Sequence, residues 1–320
     1  MKKLLIQSFI LGFALVFFSC ENSTNYQGPE KNITFNDVNY TLNFSWEFNE
    51  NGKFPSDIIH EYRKDDKPGD GMFAWFSKTE NVVGETNLPE NLYIKDGAIH
   101  MNEQHYKDSN GIYHQNWTEL WGLNLWFWPE SVRIKNPKYC DAGYYEIKFK
   151  MPKVQGVSFA MFLYTADEDE TLMKNHINSK NYVYSEIDFA ELKVRGNNVE
   201  PLGGIHITNP TTGKKESQGY EYNQATFNKL IPVTDSWYDE WHTLQAVWNN
   251  NKLDLYYDGD LFRNVSIPDF FGEAFGKYGF IIRPEYCDYP WKKGKNSVDW
   301  SDTAKHDYQI DYVRYYSPLQ

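Results

Sequence analysis

Cysteine is scarce in this chain: 320 residues hold three, Cys20, Cys140 and Cys287. Two distant cysteines, Cys140 and Cys287, do not make a disulfide framework, and the eight histidines show no zinc-type spacing with them. No metal centre is expected from these residue types. Basic charge is in deficit as well. Lys and Arg total 32 against 44 Asp and Glu, a formal net charge of −12. No basic stripe interrupts the acidic balance, which excludes a nucleic-acid partner. A phosphate-cradling glycine loop, an internal repeat and a long amphipathic helix are all missing, so nucleotide-type sites and solenoid folds are excluded and no cofactor is required.

What is present begins with a leader. Lys2 and Lys3 precede an apolar run from Leu4 to Phe18, too short for a membrane span and placed as in a secretory signal. The run ends at Ser19-Cys20, the pattern of a bacterial lipoprotein cleavage site, which would make Cys20 the lipidated first residue. The alternative is a plain cleaved signal with a chance cysteine. Residues 21–38 are polar and read as a tether. The chain is therefore expected to be exported and held by lipid at a bacterial outer membrane or cell surface. Losing Lys2 and Lys3 takes the net charge from −12 to −14.

Residues 39–320 suffice for one large domain with a sizeable core, expected to be a monomer. Gly143 to Met151 alternates, with Tyr145, Ile147, Phe149 and Met151 on one face and Glu146, Lys148 and Lys150 on the other. Val157 to Tyr164 is a nearly continuous apolar strand. Asp96-Gly97 and Asp258-Gly259 mark hairpins. Strands are also expected at Asn43 onward, Gly203 to Thr208, Trp241 to Trp248, Gly279 to Arg283 and Tyr308 to Tyr316. Residues 103–130 read as a long loop carrying Trp117, Trp121, Trp126 and Trp128, either sugar platforms or a satellite core. Many short strands separated by turns predict an all-β, two-sheet sandwich. The 11 Trp, 24 Tyr and 21 Phe exceed what a core of this size requires and suit the stacking of sugar rings.

The chemistry concentrates in Tyr182 to Leu192, YVYSEIDFAEL. On a helix, at about 100° per residue, Glu186 would point away from Asp188 and Glu191. On a strand, Glu186 and Asp188 share a face, and Glu191 joins them only if one residue near Phe189 or Ala190 is bulged out. Three carboxylates crowded on one face repel each other. Glycoside hydrolysis gives them a purpose, one carboxylate attacking the anomeric carbon while a second donates a proton to the leaving oxygen. A solvated acidic edge and a calcium site are the other readings of the same spacing.

The chain resembles glycoside hydrolase family 16 over most of residues 43–316. The most specific block is Glu186-Ile187-Asp188-Phe189-Ala190-Glu191, which is similar to the family's bulged active-site strand. SWEFN at 45–49, GYYEIKFKMP at 143–152, EWHTLQAVW with LDLYYDGDLF across 240–262, and YQIDYVRYY at 308–316 follow in the family's order. The resemblance implies a concanavalin A-like β-jelly roll with a concave cleft and endo-acting, retaining cleavage of a β-linked polysaccharide. It implies Glu186 as nucleophile, Glu191 as acid/base and Asp188 as the helper between them. It also implies a structural calcium on the convex face, for which Glu47 and Asp311 lie in candidate segments.

For the substrate, GVSFAMFLY at 156–164 is the instructive run. Ser158 and Phe162 stand where members acting on β-1,3-glucan carry tryptophans. The run, followed by a long insert, is similar to the kappa-carrageenase branch, so a carrageenan-type galactan is the first expectation. An endo-β-glucanase, an agarase, a non-catalytic surface glycan-binding lipoprotein and a structural envelope lipoprotein are the alternatives. The acidic net charge opposes a polyanionic substrate unless the cleft is locally basic. Arg133, Lys135, Lys193, Arg195 and Arg283 are the candidate cations. His206, Trp126, Trp128 and Trp291 complete the candidate sugar contacts, with a satisfied sheet histidine as the other reading of His206.

Overall fold

The computed structural model describes residues 28–49, 58–60, 82–86, 92–107, 109–111, 113–117, 120–122, 132–134, 142–165, 185–208, 212, 215–218, 230–249, 251–267, 278–286, 299 and 301–319. Among them there is no α-helix; one short 3-10 turn, Asp235–Asp239, interrupts twenty strands. The first ten are β1 Asn32–Phe35, β2 Val38–Glu47, β3 Ile58–His60, β4 Val82–Thr86, β5 Leu92–Lys95, β6 Ala98–Lys107, β7 Tyr113–Trp117, β8 Leu120–Gly122, β9 Val132–Ile134 and β10 Gly143–Lys150. They continue as β11 Val157–Thr165, β12 Ser185–Arg195, β13 Asn198–Thr208, β14 Lys215–Gln218, β15 Ile231–Pro232, β16 His242–Asn249, β17 Lys252–Tyr257, β18 Asp260–Ser266, β19 Tyr278–Tyr286 and β20 Lys305–Pro318.

Alternation along these strands sorts them into layers. A seven-stranded sheet runs β14-β13-β12-β11-β19-β8, with β15 on β13. An eleven-stranded sheet runs β18-β17-β16-β10-β20-β6-β7-β4. The long β20 pairs β10 along one edge, and β6 then β2 along the other. β1 lies on β2 and β5 on β6, while β3 and β9 form a separate pair. Among the described strands all pairings are antiparallel except β4 with β7, and an isolated parallel bridge joins Gln155 to Val194. The architecture is the all-β two-sheet sandwich expected from the turn and strand pattern, in the jelly-roll form the resemblance implied.

One apolar core fills the space between the two large sheets. β11 contributes Phe159, Met161 and Leu163; the facing sheet contributes Tyr145, Ile147 and Phe149 of β10 and Tyr308 and Ile310 of β20. Rings interlock across the gap: Phe159 with Tyr308 at 4.9 Å and Tyr145 with Phe189 at 4.8 Å between centroids. Each such buried side chain stabilises the fold by about 1.5–3 kcal/mol relative to exposure.

The outer face of the larger sheet is tied by a polar network. Tyr144 and Tyr312 donate to Glu146 at 2.6 and 2.7 Å. Arg314 donates to both oxygens of Glu47 at 2.8 and 3.1 Å and lies 3.6 Å above the Tyr312 ring. Asp311 is the extra residue where β20 shifts register against β10, and its carboxylate is held by Lys148. Glu47 and Asp311, in the candidate calcium segments, are thus engaged by Arg314 and Lys148. Among the described residues no cluster of three or more His, Cys, Asp or Glu side chains could hold a metal ion.

Two expectations about chain layout change. The span 103–130 is not one loop, because β6 runs on to Lys107 and β7 and β8 follow. Trp117 and Trp121 therefore sit on strands. Their polar neighbours hid the pattern. The folded domain also begins earlier than residue 39. Asn32–Phe35 pairs with β2 through a turn at Asn36 and Asp37, both at positive φ, and Ile33 and Phe35 pack on Tyr40, Tyr144 and Tyr316. The distant Cys140 and Cys287 lie outside the described residues, as do Cys20 and Lys135.

Candidate active site

β12 is the third strand of the seven-stranded sheet, between β11 and β13. Ile187, Phe189, Leu192 and Val194 belong to the core, so the strand is anchored by its apolar side. Ala190 belongs to the core as well. Two consecutive inward residues break the alternation. The register records the break on both sides: Met161 pairs Ala190 while Phe162 pairs Asp188, and on β13 Gly204 pairs Asp188 while Leu202 pairs Glu191. One residue of β12 is in excess against each neighbour, which defines a bulge.

The bulge returns Glu191 to the face that carries Glu186 and Asp188. From Tyr164, opposite Glu186, to Ala160, opposite Glu191, is four residue steps along β11. That is about 13 Å along the strand at roughly 3.3 Å per residue, a span two glutamate side chains can close by leaning together. Asp188 between them is 2 % exposed, whereas Glu186 and Glu191 are only partly buried. The register thus places a buried carboxylate between two that reach solvent.

His206 stands opposite Glu186 in register, and its Nε2 lies 3.5 Å from Asp188 Oδ2. The imidazole thus joins the carboxylate cluster. Its neighbour on the other side is Ser217 of β14.

Arg283 is brought to the same face. It pairs Ala160, which pairs Glu191, and its guanidinium lies 5.2 Å from the centre of the Phe162 ring. It is 7 % exposed, as is Lys193, the next outward residue of β12 after Glu191. Lys193 stands in register between Ser158 and Glu200, and Glu200 is ion-paired with Arg195. Arg133 is not brought here by its pairing: β9 belongs to the two-stranded sheet with β3. Trp126, Trp128 and Trp291 lie outside the described residues.

Three residues that sequence reasoning did not single out converge behind the bulge: Gly203, Leu255 and Arg263. A Cβ built on Gly203 would stand 3.0 Å from the carbonyl oxygens of both Asp188 and Phe189, and 2.5 Å from Leu255 Cδ1. Arg263 Nη1 donates to the Gly203 carbonyl at 3.0 Å. The signal available in the sequence was the Gly203-Gly204 pair inside a strand, since glycine there marks a bulge or a close backbone approach.

No protein family matches the chain by sequence profile, and no curated protein matches it. Solved structures do share its fold. An endo-β-1,3-glucanase from Pyrococcus furiosus superposes with a TM-score of 0.56 at 17% identity, covering 91% of this chain and 100% of its own. LamA from Z. galactanivorans, in complex with laminaritriose and laminaritetraose, has a TM-score of 0.57 at 16% identity over 87% of this chain and 99% of its own. A non-specific endo-β-1,3(4)-glucanase from family GH16 has a TM-score of 0.57 at 15% identity over 90% of this chain and 96% of its own. At these identities the likeness establishes a common sandwich fold for nearly the whole chain.

Proposed function

We propose that the protein is a retaining endo-β-glycoside hydrolase acting on a β-glucan. The observation that carries the reading is the bulge that sets Glu186, Asp188 and Glu191 on one face. Three crowded carboxylates cost stability and offer a binding module nothing in return. In the first step the Glu186 carboxylate attacks the anomeric carbon. The glycosidic C–O bond breaks as Glu191 gives its proton to the departing oxygen, leaving a glycosyl ester on Glu186. In the second step Glu191, now a carboxylate, takes a proton from water, whose oxygen displaces Glu186 and restores it. Asp188, between them, is the helper that holds the geometry and charge of Glu186.

The choice of β-glucan replaces the carrageenan-type galactan as the first reading. It is supported by the shared fold with endo-β-1,3- and endo-β-1,3(4)-glucanases. A sulfated galactan remains the second reading, favoured by one observation: Lys193 and Arg283 place two largely buried cations on the face that carries Glu191. Reducing-end release from laminarin, mixed-linkage glucan, agar and carrageenan, by wild type and Glu186→Gln, tests both. Release from the glucans that is lost in Glu186→Gln is expected. Release from carrageenan alone moves the assignment to the galactan, and release from no polysaccharide sinks the hydrolase.

A further inference from the structure

The alternation of β12 is reversed at Phe189 and Ala190, and something must hold that reversal in place. The residue of β13 facing the excess is Gly203, between Leu202 (opposite Glu191) and Gly204 (opposite Asp188). Gly203 turns inward, and the space its missing side chain leaves is taken from three sides. The carbonyl oxygens of Asp188 and Phe189 approach to 3.0 Å of the ideal Cβ position, and Leu255 Cδ1 to 2.5 Å. The two oxygens are backbone and cannot step aside as a leucine tip can. A side chain there would make the β12 backbone give by a few tenths of an ångström, so glycine suits the position opposite this bulge.

Leu255 comes from the other sheet, and so does Arg263. They are register partners, Leu255 on β17 and Arg263 on β18. Arg263 is 3 % exposed, and its Nη1 donates to the Gly203 carbonyl at 3.0 Å. A guanidinium this deeply buried is expensive to desolvate, and apolar residues of similar volume usually serve stability as well or better. One product of the contact is positional: a charge-assisted hydrogen bond fixes the backbone opposite the bulge from across the core.

The geometry points to Arg263 and Gly203 as positioning residues that hold the β12 bulge, and through it the placement of Glu191 against Glu186 and Asp188. Neither touches substrate. The inference rests on the hydrolase reading for its kinetic consequence but not for its structural one.

The test compares Gly203→Ala, Arg263→Met and Arg263→Lys with Arg314→Met, whose side chain lies on the far face of the larger sheet. A misplacement near 1 Å costs about 100-fold in rate. Folded Gly203→Ala and Arg263→Met are expected to lose kcat on that scale, with KM within threefold on the order expected for intact binding residues. The alkaline limb of the pH profile should shift, and Arg263→Lys should restore part of the rate. Arg314→Met should lower the melting temperature without altering kcat or the pH profile. Wild-type kcat and pH profile in folded Arg263→Met and Gly203→Ala would overturn the inference. Carboxyl-13C titration of Glu186, Asp188 and Glu191 supplies a second reading that needs no turnover. The three are expected to titrate as a coupled set in wild type and in Arg314→Met, and to lose coupling to Glu191 in the two positioning variants. Unchanged titration in those variants also overturns it. A wild type that hydrolyses nothing, with this change in coupling intact, removes the hydrolase and leaves the positioning role standing.

Discussion

Phe189 and Ala190 follow one another in β12, and both lie in the apolar core. That pair of inward steps is why Glu186 and Glu191, five residues apart, share a face. Their roles separate in variants. Glu186→Ala should abolish turnover, and added azide should then enter from the opposite face and give the inverted glycosyl azide from an activated aryl glycoside. Glu191→Ala should form the glycosyl ester from the same substrate and release the retained azide. NMR of the anomeric proton reads both. Swapped stereochemistry would reverse the two assignments, and net inversion by wild type would remove the covalent intermediate.

His100 supplies a pH-dependent element of stability. Its Nδ1 lies 2.8 Å from Asp307 Oδ2 and its Nε2 3.1 Å from the Lys95 carbonyl, so both nitrogens face acceptors. Burial works against the charged ring, but the hydrogen bond and charge of Asp307, helped by Lys95 and Asp96, outweigh it and raise the pKa above the ordinary histidine value. A raised folded pKa contributes stability that is fully present below the unfolded value of about 6.5 and is lost as pH rises through the folded pKa. The melting temperature of wild type minus that of His100→Gln should therefore be largest at pH near 5.5 and shrink toward pH 9 on the scale set by those pKa values. A difference that grows with pH contradicts this assignment.

The bidentate Arg314–Glu47 pair fastens β2 to the last strand. Both side chains are mostly buried, so removing Glu47 leaves Arg314 the longer contact to Glu146 at 3.9 Å. Glu47→Leu should destabilise the domain by about 3 kcal/mol, and Glu47→Leu with Arg314→Met by clearly less. Urea unfolding of the four species closes the cycle. Additive losses would show that the pair is not coupled.

We propose export and lipid anchoring through Cys20, on the placement of Ser19-Cys20 after the Leu4 to Phe18 run. Cys20→Ala should move the protein out of the membrane fraction without changing turnover of a soluble oligosaccharide. Retention of the variant in membranes counts against the anchor.

Much of this protein was legible from local pattern alone. Strict alternation in Gly143 to Lys150 assigned β10 and its buried face, and the two Asp-Gly turns located their hairpins, because these signals depend only on neighbours in the chain. The carboxylate spacing showed that the three acids share a face only if a residue near Phe189 or Ala190 is bulged out, since no regular strand puts residues 186, 188 and 191 on one side.

Tertiary structure decided the rest. Which cations reach the face of Glu191 depends on strand order: Arg283 arrives through β19, two strands away. Trp117 and Trp121 became strand residues through pairing partners distant in sequence. The glycine opposite the bulge, and the arginine and leucine that meet it from the other sheet, are set by the stacking of two sheets. No period within β13 or β18 contains that information. The sequence alone determined which carboxylates can share one strand face, because alternation and bulging are local. Only the packed sandwich determined what holds them in place, because that contact joins Gly203 to Arg263 across the core.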